Sequence, residues 1–600
     1  MASQHVMNRI RMSRRLAAVG MALCVGLWSP TGTAQSIDPV PGQADFNGDG
    51  IADLAIGVPF EDIGTAADAG AVNVLFGGPL GPSAGGANGS PSDFLLHQNL
   101  AGVPGVSEAG DQFGRALATG DFDADGFSDL AIGVPFDDTN GNQAEDAGMV
   151  VVFFGAATGL SLERTAEITS VKAGEQFGFA LAAGDFNKDG VHDLAVGAPN
   201  RIVSTVDLAS CTFAPHTLLT VICGTSTGRA GGVSVYYGAA GAGLSPSGSD
   251  GFRQSDDEDG VNSTTGEVGD SALPGERFGE VLAAGDFDHD GSADLAVGAP
   301  GNDLLKWPSA PINNAGAVHV IYGHSSGLGR RLNSPSLAIS EDGISAGGLL
   351  SVPGIGEGDG ITGTPQAGDL FGAALAVGRT SGADALYIGV PMEDVTVMPS
   401  PGIVATASDA GTVLELRRLS DGMEAIFNDV LWSRESNGIN GVAAAGDQFG
   451  FSLAAGDFNG DGRPDLAIGA PFDDVYDGVT TRANAGAVNV LYGASSGLTA
   501  TGDQLWTQAD DPTFGLGTAE TNAEFGRGLA TGNYGGGTPD DLAVGAPGRN
   551  TGGVTDAGLV QVLFGTAGGL DLGGNSLLHQ DQPFVADSNE IGDRIGWVMR

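Results

Sequence analysis

The heptapeptide DLAIGVP, Asp53–Pro59, recurs along the chain and decides the fold. Six later copies keep its length and its closing Gly-x-Pro: DLAIGVP from Asp129, DLAVGAP from Asp193, DLAVGAP from Asp294, ALYIGVP from Ala385, DLAIGAP from Asp465 and DLAVGAP from Asp541. Each copy is a short apolar run bounded by Asp, Gly and Pro, which is typical of a β-strand. Seven such copies in 600 residues indicate a protein built from repeats.

Other segments recur in step with this heptapeptide. A Phe-Gly segment precedes most copies, as in FGRALATGDF from Phe113, and a Gly-Val strand follows, as in GAVNVLFG from Gly70. A fourth, less regular strand ends the unit, as in DQLWTQAD from Asp503. Four antiparallel strands repeated seven times predict an all-β fold, a seven-bladed β-propeller, whose Ala- and Gly-rich first strands suit the crowded centre of the ring. An open solenoid is the alternative.

The two ends of the repeat array favour a closed ring. The first copy lacks its upstream Phe-Gly segment, whereas GDRIGWVMR from Gly592 resembles GDQFGRAL from Gly110 and then stops. We therefore predict that residues 592–599 pair within the blade that holds residues 45–59, so that the N- and C-terminal segments share blade 1. Such closure removes exposed sheet edges. The competing account is a truncated longer protein that has lost an eighth repeat.

Phe-Gly, an acidic loop and Gly-Ala-Pro together resemble the FG-GAP repeat of the integrin α-subunit propeller. The Phe-Gly pairs begin at Phe113, Phe177, Phe278, Phe371, Phe449 and Phe525, with Ile595-Gly596 as a conservative seventh. The resemblance covers Gly42 to Arg600. It implies a propeller with calcium-binding turns that acts as an adhesion or binding module.

An acidic loop lies directly before five of the seven heptapeptides. In ADFNGDGIADLAIGVP, Ala44–Pro59, oxygen-bearing side chains occupy loop positions 1, 3, 5 and 9, and a glycine at position 6 permits a sharp turn. The five sets are Asp45, Asn47, Asp49, Asp53; Asp121, Asp123, Asp125, Asp129; Asp185, Asn187, Asp189, Asp193; Asp286, Asp288, Asp290, Asp294; and Asp457, Asn459, Asp461, Asp465. Oxygen ligands at this spacing suit a hard cation. The pattern predicts about five Ca²⁺ sites, in blades 1, 2, 3, 4 and 6.

These loops differ from an EF-hand. An EF-hand has a carboxylate at position 12, where this chain has Ile or Val, and no helix is predicted beside the loop. The prediction is a calcium-binding turn between two strands, like the matching loops of the integrin family. Backbone carbonyls at position 7 would complete the sites: Ile51, Phe127, Val191, Ser292 and Arg463. Turn formation without a metal and a catalytic carboxylate cluster are the alternatives, and neither explains five loops with one spacing.

The loops are not equivalent in charge. Those at Asp121 and Asp286 carry four Asp residues and are expected to bind calcium most tightly, because ligand charge tunes affinity. The corresponding stretches GRTSGADAL, around Gly382, and NYGGGTPDD, from Asn533, lack the ligand set. Those two blades are expected to hold no metal.

Residues 1–34 have the pattern of a signal peptide. Four arginines between Arg9 and Arg15 precede the apolar run Leu16–Trp28, and TGTAQ offers a cleavage site after Ala34. That run has 13 residues, fewer than a membrane-spanning helix needs. The predicted domains are a signal peptide at 1–34 and the propeller at 35–600. We expect export through the cleaved signal peptide, to the exterior or the cell surface, and no transmembrane segment.

The composition excludes some classes of partner. With Asp+Glu 73 against Lys+Arg 25, the formal net charge is −48, so a basic footprint for nucleic acid is absent and anionic lipid is disfavoured. A hydrophobic content of 41% argues against disorder. Cys211 and Cys223 lie in CTFAPHTLLTVIC, and in an exported protein this spacing predicts a loop disulfide, with two buried thiols as the alternative.

The sequence predicts a protein without enzymatic activity. It has no G-x-S-x-G, H-E-x-x-H or nucleotide-binding motif. FG-GAP repeats also occur beside the catalytic domain of a phospholipase D that cleaves glycosylphosphatidylinositol anchors, but this chain has no room for that domain. A hydrolase-associated propeller, by analogy with that family, remains one alternative, and a purely structural surface scaffold is another.

The predicted function is therefore a secreted or cell-surface, calcium-binding, monomeric module whose ligand is a surface protein or glycan. The chain lacks the D-x-S-x-S motif, inserted domain, leg domains and membrane helix of integrins, so pairing with an integrin β-subunit is not expected. Insertions gather on the face opposite the acidic loops, at 200–230, 301–315 and 392–410. Because long loops on a rigid scaffold commonly carry function, that face is predicted to bind the ligand.

Overall fold

A computed structural model gives the architecture of the chain. It describes residues 44–79, 81–82, 93–139, 144–213, 221–255, 267–269, 273–304, 311–329, 336–340, 343–345, 364–400, 403–418, 427–510, 519–582 and 588–600. These residues fall within one compact unit, Asp38–Arg600. The predicted signal peptide lies outside the described residues. Within them, no helix has the length and apolarity needed to cross a membrane.

The described residues form seven four-stranded antiparallel blades, as predicted. Blade 1 contains β1 (Leu54–Val58), β2 (Ala71–Leu75) and β3 (Asp93–Leu96); blade 2 contains β4 (Ala116–Gly120), β5 (Asp129–Val134), β6 (Met149–Phe153) and β7 (Thr165–Thr169). Blade 3 contains β8 (Leu181–Gly184), β9 (Asp193–Gly197), β12 (Val233–Tyr237) and β13 (Ser245–Ser255), with the hairpin β10 (Ile202–Phe213) and β11 (Val221–Arg229) inserted. Blade 4 contains β15 (Val281–Gly285), β16 (Asp294–Ala299), β17 (Ala317–Ile321) and β18 (Ser336–Ser340).

The remaining blades repeat the same order. Blade 5 contains β20 (Ala374–Gly378), β21 (Ala385–Val390), β24 (Thr412–Arg418) and β25 (Phe427–Trp432), with the hairpin β22 (Val395–Ser400) and β23 (Ile403–Ala407) inserted. Blade 6 contains β26 (Ser452–Gly456), β27 (Asp465–Ala470), β30 (Ala487–Ala494) and β31 (Gly497–Thr507), with the hairpin β28 (Val475–Tyr476) and β29 (Thr481–Arg482) inserted. Blade 7 contains β32 (Leu529–Gly532), β33 (Asp541–Gly545), β34 (Val560–Thr566) and β35 (Gly569–Leu578), and β36 (Val598–Met599) follows it.

The last strand closes the ring. β36 pairs antiparallel with β1, opposing Ile56 to Met599 and Gly57 to Val598. The backbones of Ala55 and Arg600 exchange two hydrogen bonds of 2.9 Å each. Blade 1 therefore takes its innermost strand from the far end of the described chain, and the predicted seam is confirmed.

The hydrophobic core lies between neighbouring blades. One cluster joins Phe46, Val72 and Val74 of blade 1 to Leu117 and Ile132 of blade 2. The second strands are buried along their whole length because neighbouring blades cover both of their faces. Such strands are expected to be continuously apolar rather than alternating, and this accounts for the Leu-Ala-Ile/Val core of the repeated heptapeptide.

The Phe-Gly segment fits against the glycine that opens each third strand. The amide of Phe113 donates to the carbonyl of Ala69 at 2.9 Å. A Cβ on Gly70 would lie 2.3 Å from the backbone oxygen of Phe113, and Gly70 has a φ of +86°. The close approach of Phe113 and the positive φ both exclude a side chain at Gly70. The Phe-Gly and Gly-Ala-Val motifs therefore recur together because their residues pack against each other.

Two blades carry an additional outer strand that the sequence analysis missed. β14 (Glu267–Gly269) pairs parallel with β13, and β19 (Gly343–Ser345) pairs antiparallel with β18. Both lie in the long blade-to-blade connections. An outer strand leaves one edge unpaired, and a connection that passes along it can satisfy those backbone groups.

Each blade has two ends. The acidic loops between the first and second strands lie at what we term the hairpin end. The loops between the second and third strands, the three inserted hairpins and the blade-to-blade connections lie at the opposite, connection end.

Cys211 and Cys223 lie on β10 and β11 beside the register shift between Asp207 and Thr212. Their side chains lie outside the described residues, so the disulfide stays a prediction.

Candidate metal centres

The five acidic loops share one backbone turn. In each, the position-1 carboxylate accepts hydrogen bonds from the amides of positions 5 and 6, and the position-3 side chain accepts another from position 5. In blade 1, Asp45 accepts from Asp49 and Gly50 at 3.1 and 2.9 Å, and Asn47 accepts from Asp49 at 2.8 Å. The other four loops repeat these bonds at 2.8–3.2 Å. The predicted ligand side chains of positions 1 and 3 therefore converge on the amide of position 5 in all five loops. The position-5 carboxylate joins the close oxygen group in blade 4, whereas in blade 2 that group contains Asp129 and leaves out the predicted ligand Asp125.

Position 7, where a backbone carbonyl ligand is predicted, closes the turn. Its amide donates to the position-5 carboxylate at 2.8–3.1 Å in every loop, as Ile51 does to Asp49. Position 6 is glycine for conformational reasons in blades 1, 2, 3 and 6, whereas a Cβ on Gly291 of blade 4 would also lie 2.8 Å from Nζ of Lys188. Gly50 has a φ of +84°, and a Cβ there would meet nothing within 4 Å.

The position-9 aspartate anchors the loop to the blade. Asp53 is buried, and its two oxygens accept hydrogen bonds from Phe46 at 2.8 Å and Gly77 at 2.9 Å. Gly77 follows the third strand, so Asp53 links the acidic loop to the end of that strand. Burial raises the pKa of Asp53 to about 8, against the opposing effect of the two amide hydrogen bonds. Asp129, Asp193, Asp294 and Asp465 accept the same pair of bonds.

The donor set fits a hard divalent cation. Asp121, Asp123 and Asp129 each offer a carboxylate oxygen, and these oxygens lie within 4.8 Å of one another. Asp286, Asp288 and Asp290 do the same in blade 4. In blade 1, Oδ2 of Asp49 is buried and has no hydrogen-bond partner. An oxygen-only set with an unsatisfied buried carboxylate oxygen is chemistry that Ca²⁺ satisfies.

Basic side chains contact some of these loops. Arg164 forms an ion pair with Asp123 and lies 3.9 Å from Asp125, while its guanidinium lies 4.2 Å from the ring centroid of Phe154. Lys188 of the blade 3 loop donates to the backbone oxygen of Asp290 in blade 4. The two four-Asp loops are both predicted from sequence to bind calcium most tightly. They differ in the structure, because Arg164 pairs with a ligand carboxylate in blade 2, whereas Lys188 bonds to a backbone oxygen in blade 4.

Blades 5 and 7 keep the hairpin and replace the ligands. In blade 5, Arg379 stands where the acidic loops have their first aspartate, and Thr380 bonds to Asp384 at 3.0 Å. In blade 7, positions 3 and 5 are Gly535 and Gly537, which offer no side-chain oxygen. Asp541 nevertheless keeps the position-9 role, accepting from Gly535 and Gly565 at 2.8 Å each.

Neighbouring loops are joined by a bond that the sequence analysis missed. The position-8 amide of one blade donates to the position-1 carbonyl of the preceding blade, as Ser128 does to Asp45 at 3.0 Å and His192 to Asp121 at 3.0 Å. Four further junctions repeat it at 2.9–3.1 Å, through Ala293, Asp384, Asp540 and Ala52. At the remaining junction, position 8 is Pro464, which has no amide hydrogen.

Carboxylates are also buried at the connection end. Between blades 1 and 2, Gln98 donates to Asp137 at 2.6 Å, and Asp111 lies beside them. Burial raises the pKa of Asp111 to about 7, with the charge of Asp137 adding to the rise, and burial raises the pKa of Asp137 to about 6. Between blades 5 and 6, Arg434 takes the place of Gln98 and contacts Asp447 and Asp473 at 3.4 and 2.7 Å.

Comparison with known proteins agrees with this architecture. The FG-GAP repeat family matches residues 41–75, 113–153, 177–207, 278–321 and 449–491. The chain carries FG-GAP repeats. Each matched segment contains one of the five acidic loops, and the loops of blades 5 and 7 fall outside the matches.

Curated relatives resemble part of the chain. Phosphatidylinositol-glycan-specific phospholipase D of Rattus norvegicus is 34% identical over 161 residues, covering 27% of this chain and 18% of the relative. Integrin alpha-IIb of Homo sapiens is 37% identical over 161 residues, covering 26% and 14% respectively. Integrin alpha-PS5 of Drosophila melanogaster is 31% identical over 163 residues, again covering 26% and 14%. The chain thus spans less than a fifth of the length of these relatives.

Proposed function

We propose that the protein is an exported, calcium-binding β-propeller that acts as a non-catalytic adhesion or binding module at a cell surface, with a protein or glycan as its ligand. The observation that carries the proposal is the repeated loop geometry. In five loops the oxygen-bearing side chains of positions 1 and 3 meet at one backbone amide, and in blades 2 and 4 three carboxylates come within 4.8 Å of one another. Such sites rigidify hairpins without supplying a reacting group.

The opposite end offers the surface for a ligand. The hairpins β10–β11, β22–β23 and β28–β29 all lie at the connection end. Large apolar side chains are exposed there, including Met398 and Val479. Exposed apolar residues on loops of a rigid scaffold support binding of a macromolecule at this end. In this proposal, calcium stabilises the hairpin end and the connection end binds the ligand.

Cell binding with and without calcium tests the proposal. Fluorescently labelled protein, lacking residues 1–34, is incubated with intact cells and with a glycan array in calcium or in EDTA. We expect binding in calcium that is lost in EDTA and reduced in the Asp286→Asn/Asp288→Asn/Asp290→Asn variant. Glu163→Gln, at an exposed position, is the matched control. Absence of binding to every surface, or binding indifferent to EDTA, would contradict the proposal.

The resemblance to a phospholipase D supports a second candidate, a propeller associated with hydrolysis of glycosylphosphatidylinositol anchors. It is tested by incubating the purified protein with an anchored reporter on vesicles. Release of the reporter would favour this candidate. Export itself is tested by mass spectrometry of the secreted protein, for which we expect an N-terminus at Gln35.

A further inference from the structure

Seven side chains surround the ring axis at the connection end. Each follows a Phe-Gly or Ile-Gly pair and stands one or two residues before the innermost strand of its blade, so the set forms a ring around the axis. In blade order the seven are Trp597, Arg115, Phe179, Glu280, Ala373, Phe451 and Arg527. We term this ring the axial mouth. Five of its members are aromatic or arginine, in a chain with only 25 basic residues.

The aromatic and arginine side chains contact one another across blades. The guanidinium carbon of Arg527 lies 3.8 Å from the ring centroid of Trp597 and 4.9 Å from that of Phe451. That of Arg115 lies 5.1 Å from Phe179 and 5.9 Å from Trp597. The contacts therefore run without interruption through blades 6, 7, 1, 2 and 3. All five side chains are half-buried, so each keeps some contact with solvent.

A third guanidinium approaches the same indole. Arg594 lies 5.5 Å from the Trp597 ring, and Phe60 packs edge-on against that ring at 5.2 Å. Three arginines thus surround one aromatic side chain. Burial lowers the pKa of Arg115 and of Arg527, and the repulsion of Arg115 by Arg527 lowers the former further. Like charges gathered in a partly dry site are held at an energetic cost that an anion would relieve.

The chain supplies few counter-ions at the axial mouth. Arg527 pairs with Glu524 at 3.0 Å, and Glu280 pairs with Arg277 at 2.9 Å. Among the described residues, Arg115 and Arg594 form no ion pair within 4 Å, although the charge of Glu280 attracts Arg115 and opposes part of the lowering of its pKa. The axial mouth is therefore a local cationic site on a protein whose formal net charge is −48.

We propose that the axial mouth binds a carboxylate side chain from an acidic loop of a protein partner. A guanidinium presents its N–H groups in a fork that matches a carboxylate, and aromatic rings hold the fork in place. Arginine and tryptophan are also the residues that most often dominate the centre of protein interfaces. This inference deepens the binding role proposed above and rests on it.

Exposed apolar side chains at the same end of the propeller favour a protein over an acidic glycan. On the inserted hairpins at the same end, Met398 is 71% exposed, Val404 68%, Tyr476 66% and Val479 83%. Aromatic residues, methionine and arginine are enriched in protein interfaces relative to the rest of a protein surface. An acidic polysaccharide would not bury these side chains.

Titration with a short acidic peptide tests the inference. Hexaglutamate is added to the calcium-saturated protein, and tryptophan fluorescence and calorimetry follow binding, with hexaglutamine as the neutral control. The acidic protein repels this peptide elsewhere, so binding reports a local cationic site. We expect hexaglutamate to bind, at least tenfold weaker binding to Arg115→Gln/Arg527→Gln, and unchanged binding to Lys172→Gln, which removes an exposed charge at the same end. Circular dichroism and melting confirm that the variants fold.

Other outcomes overturn the inference. The inference is wrong if hexaglutamate does not bind the wild-type protein, or if it binds the Arg115→Gln/Arg527→Gln variant equally well. It is also wrong if the axial mouth binds polygalacturonate more tightly than hexaglutamate. The proposed function is judged separately, by cell binding of the wild-type protein. Wild-type binding to cells with no hexaglutamate binding rejects the axial mouth alone, whereas absence of cell binding rejects the proposed function.

Discussion

Blade 2 carries carboxylates at both of its ends, and the two sets are balanced differently. At the hairpin end, Asp121, Asp123 and Asp129 bring oxygens within 4.8 Å of one another, with Arg164 paired to Asp123. At the connection end, Asp111 and Asp137 are buried beside the neutral Gln98. The first set matches the coordination of a cation, whereas the second is joined to a neutral amide. Burial raises carboxyl pKa values in both sets, that of Asp129 to about 8 and that of Asp111 to about 7. Similar carboxyl groups thus form a candidate cation site at one end and a metal-free buried pair with raised pKa values at the other.

Removal of calcium is expected to have the largest effect on stability. Each occupied loop contributes about 2.7 kcal/mol when free calcium exceeds the dissociation constant a hundredfold. Without the ion, three or four carboxylates per loop repel one another at close range. Calorimetry should show a large fall in melting temperature on adding EDTA, and EDTA saturated with calcium serves as the control. An unchanged melting temperature would show that calcium does not stabilise the loops at the hairpin end.

Substitution of the position-9 aspartates distinguishes their structural hydrogen bonds from their predicted role in metal binding. Asp541→Asn in blade 7 loses an acceptor for one of two backbone amides, and we expect a loss of about 1.5–3 kcal/mol with or without calcium. Asp465→Asn in blade 6 loses the same bond and also a calcium ligand. Its loss should be larger in calcium than in EDTA. Equal losses under both conditions for Asp465→Asn would mean that this residue is architectural only.

The buried pair at the connection end should contribute to the pH dependence of stability, in addition to the position-9 aspartates of the hairpin end. Asp111 and Asp137 have folded-state pKa values of about 7 and about 6, above the value of about 3.9 in an unfolded chain. The folded protein therefore binds more protons between these values, and the free energy of unfolding falls as pH rises from about 4 to about 7.

A neutral variant isolates this contribution. Asp137→Asn keeps an oxygen acceptor for Gln98 and removes one charge, so it should stabilise the protein by about 1–2 kcal/mol at pH 8 and reduce the slope of the pH profile between about pH 4 and pH 6. Denaturant unfolding in EDTA at several pH values provides the measurement, with Glu163→Gln as the exposed control. A variant less stable than wild type at pH 8 would refute this.

The smallest expected effect concerns the two four-Asp loops. Arg164 is 42% exposed, so its pairing with Asp123 is screened and amounts to less than about 1 kcal/mol. Arg164→Gln should therefore raise the calcium affinity of the blade 2 loop by a factor of about 2–5. Calorimetric calcium titration measures this, with Lys172→Gln as a charge-matched control. Weaker calcium binding by Arg164→Gln would show that Arg164 supports the site instead of competing for it.

Most of the architecture could be predicted from the sequence because repeats reveal it. Seven copies of one heptapeptide set the blade number, and the similarity of residues 592–600 to the Phe-Gly segments located the seam. The acidic loops could be located because most of their predicted metal ligands are side chains, whose spacing is visible in the sequence. The convergence of those side chains follows from local hydrogen bonds within nine residues.

The missed features depend on contacts between distant parts of the chain. The bond from position 8 to the preceding blade uses the backbone, so residues as different as Ser128, His192 and Ala293 all form it. The pairing of Arg164 with Asp123 joins the loop between β6 and β7 to an acidic loop 41 positions earlier. The hairpin β28–β29 has only two residues per strand and left no periodic signal. The axial mouth depends on ring closure, which places Trp597 beside Arg115.

The backbone bonds between loops have a consequence for how calcium ions are taken up. The sites of blades 1, 2, 3 and 4 adjoin, and each is linked to the next by an amide that stands beside a ligand. Ordering one loop therefore lowers the entropy cost of ordering its neighbour, which produces positive cooperativity. The site of blade 6 has no such neighbour, since blade 5 lacks the ligand set and Pro464 cannot donate. The calcium isotherm should then contain a steep four-ion component with a Hill coefficient above one, and a fifth ion that binds independently.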